Sequence, residues 1–168
     1  MNLRFYSFVN FYLSSIQQGV QSFHVLHEMF NKYGMGDTRY HDEFLRLHDW
    51  SKNDKTLIIL NGGANTDIEE KYALLHKCEA CLTFPMPFEK FHEDEKSLAG
   101  IITACGCVLP EEIYGAVDYR NSGLNWAHAD NEDKNSFFFI KDDIVRQYHP
   151  GFCEHELITM IKSCSLAR

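Results

Sequence analysis

The sequence lacks any apolar run of the roughly eighteen residues that a membrane-spanning helix needs. The segment from Met1 to Leu13 also lacks the charged stretch, apolar run and small-residue cleavage site of a signal peptide. Internal repeats and low-complexity tracts are missing as well, which excludes solenoid architectures. These absences predict a protein without a membrane segment that resides in the cytoplasm.

A cluster of basic residues is also missing. The chain has 16 Lys and Arg residues against 24 Asp and Glu residues, for a formal net charge of −8. Such a charge repels nucleic acid on average, so tRNA is disfavoured as a partner by electrostatics alone. A protein partner or a second copy of the chain is not disfavoured in this way.

Cysteine is present, but without the pattern of a disulfide framework or a zinc site. In a chain with no secretion signal, we expect buried thiols in a reducing compartment. The Cys78-x-x-Cys81 and Cys105-x-Cys107 pairs leave a zinc site as the weaker alternative, because they lack a metal-binding turn. No metal or cofactor is therefore predicted. The six cysteines are Cys78, Cys81, Cys105, Cys107, Cys153 and Cys164.

With 168 residues and 45% hydrophobic composition, the chain can bury one core. Bulky residues over 5–12 predict a central strand covered on both faces, and Ser14 and Ser15 predict the start of a helix that ends near Tyr33. Thr66 and Glu69 have the spacing of a capping box. Further predicted elements are a helix at 41–50, a buried strand at 56–60, an edge strand at 81–84, an acidic loop at 92–96 and a central strand at 101–109, followed by a helix that begins at Pro110.

The first helix carries a polar stripe beside an apolar one. The apolar stripe should pack on the sheet and leave the amides and the imidazole at the edge of that contact. Spacings of three and four residues place each set on one face. The polar stripe is Gln17, Gln21, His24 and Glu28, and the apolar stripe is Ile16, Val20, Phe23, Phe30 and Tyr33.

Residues 121–168 are predicted to form an extension packed on the core, with helices at 142–148 and 154–164. The run Phe137 to Ile140 is too apolar to remain in water. It should fold back on the core, add a strand at a sheet edge, or contact a second copy of the chain.

The order of the predicted elements over residues 5 to 119 resembles that of type II peptidyl-tRNA hydrolases. Gln21-Ser22-Phe23-His24 corresponds to the Gln-Cys-Ala-His stretch of that family, and Trp50 ends the second helix as a Trp does there. Glu93 to Ser97 match the family's acidic loop, with the acid and the hydroxyl still four apart. The resemblance implies an α/β core over 1–120, with a mixed sheet of four or five strands sandwiched by helices.

The chain departs from the family at the basic positions. Gln17 or Gln18 stands where the family has a lysine, and Asn10-Phe11-Tyr12-Leu13 replaces its Arg-x-Asp-Leu. The resemblance implies that substrate would meet these positions and Ser97. Arg120 and Lys141 are the candidates for a replacement cation.

If chemistry is retained, His24 is the expected general base, because imidazole titrates near neutrality and Glu28 lies one turn on. Glu93 or Asp94 would share this work, and Gln21 would donate its amide to a developing oxyanion. The alternative is that Gln21 and His24 satisfy backbone groups at the helix–sheet edge.

Three functions remain open from the sequence. The resemblance implies an esterase that acts on peptidyl-tRNA or N-blocked aminoacyl-tRNA. The missing cations favour a catalytically inactive relative, of which a viral protein is one form, that binds a protein or a small ligand. A different small-molecule enzyme on the same scaffold is the third.

The turn at 61–65 precedes a helix, but the acids Asp67, Glu69 and Glu70 favour a structural turn over an anion site.

Overall fold

The computed structural model describes residues 2–34, 38–110, 113, 137–141, 144–148 and 151–167. The strands are β1 (Leu3–Asn10), β2 (Thr56–Gly63), β3 (Phe88–His92), β4 (Ile102–Pro110), β5 (Phe137–Lys141) and β6 (Ile144–Tyr148). The helices are α1 (Ser15–Lys32), α2 (His41–Asp49), α3 (Asn65–Glu79), α4 (Glu95–Leu98) and α5 (Phe152–Ser163), with a 3₁₀ turn at Thr38–Tyr40 and a π-helical turn at Trp50–Asp54.

The first four strands form one mixed sheet in the order β2-β1-β4-β3. β1 and β2 are parallel, whereas β4 is antiparallel to both β1 and β3. Hence β1, β2 and β3 run in one direction, and their carboxyl ends share one edge of the sheet with the start of β4. We call this the carboxyl edge. The prediction of an α/β fold with a mixed sheet is confirmed.

Helices cover both faces of this sheet, because the side chains of β1 alternate between two cores. Phe5 and Val9 pack with Val25 and Met29 of α1. Tyr6 and Phe8 face the other side, where α3 and α5 supply the core residues Ile68, Leu75, Leu157 and Ile158. All residues of β4 are buried, as expected for a central strand.

Helix α1 begins as predicted, but it is rotated relative to the predicted orientation. Ser14 is the N-cap and forms a capping box with Gln17. The residues expected to pack on the sheet point to solvent instead: Ile16 is 82% exposed, Val20 46% and Phe23 64%. The buried positions are Gln18, Gln21, Ser22, Val25 and Met29. Tyr33, just beyond the helix, is buried as predicted, and Phe30 packs half-buried against the same core.

Three other sequence predictions are wrong in detail. The third strand follows the prolines, as β3, because Pro87 offers its carbonyl to the Val108 N–H and leads into the sheet. Helix α3 begins earlier than predicted, since Ala64 is the N-cap and the Asp67 carboxylate accepts its N–H at 2.7 Å, the role expected of Glu69. The predicted helix at 142–148 is instead strand β6, which pairs with β5 in a separate two-stranded sheet.

The C-terminal helix was predicted at about the right place. This helix, α5, packs in the core on the same face of the sheet as α3. The segment after α5 lies along the outer edge of β2. Ser165 accepts the Asn61 N–H at 2.8 Å, and the Ala167 N–H donates to Ile59 at 3.0 Å. The boundary expected at residue 120 and the helix expected after Pro110 fall outside the described residues, apart from the buried Ile113.

Two cysteines predicted to be free are paired. Cys81 and Cys153 form a disulfide that joins the end of α3 to the start of α5 across a sequence separation of 72. Cys78, Cys105 and Cys107 are buried free thiols, as expected. Burial raises the pKa of the Cys78 thiol to about 11, which keeps it protonated.

The disulfide should contribute measurably to stability. The double substitution Cys81→Ser with Cys153→Ser removes a long cross-link, and we expect it to lower the free energy of unfolding by about 2–4 kcal/mol. Urea unfolding with and without a reductant measures this. The reductant should destabilise the original chain and leave the double variant unchanged. Equal sensitivity of both proteins to the reductant would contradict the role of this bond.

Candidate functional site

A chain of three side chains connects α1, β4 and the loop after β3 at the carboxyl edge. Gln21 is 6% exposed, and its Nε2 donates to Glu93 Oε1 at 2.6 Å. Thr103 is fully buried, and its Oγ1 donates to Gln21 Oε1 at 2.8 Å. Both ends of the Gln21 amide are therefore engaged, and the Glu93 carboxylate is held in one position by a charge-assisted hydrogen bond.

His24 lies next to this chain, one turn further along α1. Its imidazole stacks on the Phe91 ring, with centroids 4.4 Å apart and planes at 15°. Phe91 is in β3 and Glu93 lies just beyond its end, and each contacts a different residue of α1. The imidazole of His24 and the carboxylate of Glu93 are therefore brought to the same part of the molecule.

The structure thus brings together three of the four predicted catalytic residues. Gln21 and His24 lie on α1 and contact Glu93 and Phe91, respectively, at the carboxyl edge. The predicted pairing of Glu28 with His24 is not seen, since no hydrogen bond joins them among the described contacts. Thr103 was missed by the sequence analysis, and its only signal was a hydroxyl within an otherwise apolar strand.

The fourth predicted catalytic residue has a different visible role. Asp94 is exposed, and its Oδ1 accepts the Lys96 N–H at 2.6 Å at the start of α4. Gln17 accepts the Ser14 N–H at 3.0 Å and completes the cap of α1. Gln18 is buried and donates to the Leu13 carbonyl at 3.1 Å. These hydrogen bonds give the side chains of Asp94, Gln17 and Gln18 a role in the local fold.

Asn10 lies at the carboxyl edge in a small polar cluster, and its Nδ2 also donates to the carbonyl of Ile102, the first residue of β4, at 3.2 Å. Asn10 is fully buried, and its Nδ2 contacts Tyr12 Oη and Asn65 Oδ1, both at 2.9 Å. Its Oδ1 has no hydrogen-bond partner among the described residues. The predicted roles of Ser97, Arg120 and Lys141 concern side chains outside the described part of the chain.

An open groove of about 540 Å³ runs away from this site between α1 and β3. It contains two cations that the sequence analysis did not propose, Lys32 and Lys90. Lys32 is paired with Glu89 at 3.1 Å, whereas the Lys90 Nζ lies 4.6 Å from the Tyr72 ring centroid. The lining residues are Glu28, Asn31, Lys32, Glu89, Lys90, Phe91 and His92.

Two tyrosines bond the first residues of β3, beside the groove. Tyr33 Oη donates to the Phe88 carbonyl at 3.0 Å, and Tyr72 Oη donates to Glu89 at 3.0 Å. Burial is the main cause that raises the pKa of Tyr33, and burial followed by the Glu89 charge raises the pKa of Tyr72. Both phenols therefore stay protonated and keep these hydrogen bonds throughout the physiological range.

No protein-family model matches the chain, and no curated protein matches it in sequence. Within the described residues, no helix is both long and apolar enough to span a membrane.

The hydrogen bonds of the buried Gln21 amide should depend on the Thr103 hydroxyl. Thr103→Val keeps the shape but leaves the buried Gln21 Oε1 without its donor, so we expect the free energy of unfolding to fall by about 1–3 kcal/mol. Thr103→Ser retains the hydroxyl and is the matched control. Equal unfolding midpoints in urea for the valine and serine variants would show that this hydrogen bond does not contribute to stability.

Proposed function

We propose that the protein is a carboxylic ester hydrolase of the peptidyl-tRNA hydrolase type, which cleaves the ester between a peptidyl or N-blocked aminoacyl group and a tRNA terminus. The observation that carries this proposal is the hydrogen bond between Gln21 and Glu93. These two positions come from distant parts of the chain, and the resemblance expects them at one site. The mixed sheet of four strands also agrees with what the resemblance implies.

In the proposed mechanism, water attacks the ester carbonyl between His24 and Glu93. One of these two groups accepts a proton from the attacking water, and the ribose oxygen leaves as a hydroxyl after receiving a proton. Gln21 positions Glu93 with one amide hydrogen, and its second hydrogen is available to the developing oxyanion. Stacking on Phe91 limits rotation of the imidazole and so favours a fixed geometry.

The cellular location forms part of the proposal. A peptidyl-tRNA hydrolase acts where translation occurs, which means the cytoplasm. The Cys81–Cys153 disulfide weighs against this location, because reducing compartments keep most thiols free. The exposed position of Cys81 makes the bond accessible to cellular reductants.

A second candidate, a non-catalytic binding module, is favoured by a specific feature of α1. No Asp, Glu, Lys or Arg occurs between Arg4 and Glu28, so this part of the chain offers no cation to a tRNA phosphate. The exposed Ile16, Val20 and Phe23 form an apolar face on the same helix. Such a face suits a protein partner better than a polyanion.

The catalytic proposal predicts the effects of two substitutions. His24→Ala and Glu93→Gln should each lower kcat/KM for N-acetyl-aminoacyl-tRNA by about 10²–10⁴, since each removes a group positioned for proton transfer. His27→Ala is the matched control, because His27 is an exposed histidine of the same helix. Release of the N-acetyl amino acid is the measurement.

Two results decide between the candidates. Unchanged turnover in the His24→Ala, Glu93→Gln double variant would remove these residues from the mechanism. Absence of turnover by the original chain, together with stoichiometric recovery of a protein partner that Phe23→Asp abolishes, would replace the enzyme with the binding module.

A further inference from the structure

The outer edge of β3 presents backbone groups to the groove. In the β3–β4 ladder the Val108 N–H bonds the Pro87 carbonyl, and beyond the bulge the Glu93 N–H bonds the Ile101 carbonyl. Because backbone groups alternate along a strand, Glu89 and Phe91 direct theirs to β4. Phe88, Lys90 and His92 therefore direct their N–H and C=O groups to the opposite edge, where no described strand pairs.

Side chains already form hydrogen bonds with half of the backbone N–H and C=O groups along this edge. Tyr33 Oη bonds both the N–H and the C=O of Phe88, at 3.2 and 3.0 Å. The Lys90 N–H donates to Glu89 Oε1 at 3.0 Å. The next two groups along the edge, the Lys90 C=O and the His92 N–H, have no hydrogen-bond partner among the described residues.

These two groups have the arrangement that receives a parallel strand. In a parallel pair, a residue donates its N–H to the carbonyl of the residue that precedes the facing residue. Its own carbonyl accepts the N–H of the residue that follows the facing residue. Here the facing residue is Phe91. An antiparallel strand would instead need the N–H and C=O of a single residue. At Lys90 the N–H is already occupied by Glu89, which leaves only His92, the last residue of β3. The parallel orientation uses the open groups on both sides of Phe91, within the strand.

We propose that this edge binds the peptide part of the ester substrate as an added parallel β-strand, an inference that rests on the proposed function. A parallel peptide runs from the Glu89 end of the groove to the Glu93 end. Its C-terminal carbonyl, which carries the ester, then arrives at Gln21, His24 and Glu93. Strand addition at a sheet edge beside a helix is a known mode of peptide recognition, in which main-chain bonds provide affinity.

The groove also limits the length and charge of the peptide. Glu89 and Glu93 are four residues apart, which corresponds to about 13 Å or about four residues of extended peptide. Glu89, held by Lys32 and Tyr72, closes the far end. The Glu28 carboxylate lines the groove and has no ion pair among the described residues, so it complements the ammonium of a free peptide N-terminus.

Substrate length gives the first test. The probes are 3′-adenosyl esters of N-acetyl-alanine and N-acetyl-tetraalanine, and a tetraalanine ester N-methylated at the amide that would meet the Lys90 carbonyl. Each backbone hydrogen bond is expected to change kcat/KM by about 3- to 10-fold. The tetrapeptide ester should therefore exceed the alanine ester by about 10-fold or more, and N-methylation should remove about 3- to 10-fold.

A backbone variant gives the second test. His92→Pro removes the edge N–H, and His92→Ala is the control that removes the imidazole but keeps the N–H. The proline variant should lose the preference for the tetrapeptide ester, whereas the alanine variant should keep it. Circular dichroism and thermal unfolding establish that the proline variant folds. If it does not fold, the N-methylated ester decides the question with the original chain.

The outcomes separate this inference from the proposed function. Hydrolysis of all three esters with equal kcat/KM would overturn strand addition and leave the esterase in place. If no ester is hydrolysed, the proposed function fails, and binding of N-acetyl-tetraalanine methylamide tests the edge alone. Saturable NMR shifts at the His92 amide that are absent with the N-methylated peptide would support the edge, and unchanged spectra would refute it.

Discussion

The arrangement of the site depends on one buried amide, that of Gln21. A buried amide needs partners for both its oxygen and its nitrogen, because each unmade hydrogen bond costs about 1–3 kcal/mol. Thr103 supplies the donor and Glu93 supplies the acceptor. Through these two bonds, α1 is fixed against β4 and the loop after β3 is fixed against α1. The position of His24 relative to Glu93 follows from this connection.

The two outer edges of the sheet are handled differently. The β2 edge is covered by the segment after α5, which pairs with it through Ser165 and Ala167. Of the residues that the structure describes, tyrosine and carboxylate groups protect the β3 edge at Phe88 and at the Lys90 N–H. Free edges invite unwanted pairing, so natural proteins usually cover or charge them. A short stretch that none of the described segments covers, beginning beside Gln21 and Glu93, is therefore consistent with a binding role.

Several features of the fold follow from local sequence patterns. The Ser14 cap, the extent of α1 and the strands β1, β2 and β4 were predicted close to their observed positions, because caps and apolar runs act over a few residues. The strand at 56–60 was expected to be buried, but β2 is an outer strand whose first residues are exposed. The third strand was misplaced because two prolines were taken as its end, whereas the chain enters the sheet just after them. The predicted partnership of Glu28 with His24 relied on spacing alone, and Phe91 provides the actual contact.

The sequence by itself determined the α/β class, the helix that carries Gln21 and His24, and the acidic loop that carries Glu93. Only the tertiary structure decided which face of α1 meets the sheet, since both faces contain apolar residues. The face with Gln18, Gln21 and Ser22 packs on the sheet, because Thr103 and Glu93 supply partners for the Gln21 amide while Val25 and Met29 fill the core. Gln18 and Ser22 bond the carbonyls of Leu13 and Gln18, respectively. The role of Thr103, the Cys81–Cys153 pairing and the open edge of β3 likewise depend on contacts between distant segments, which no local pattern encodes.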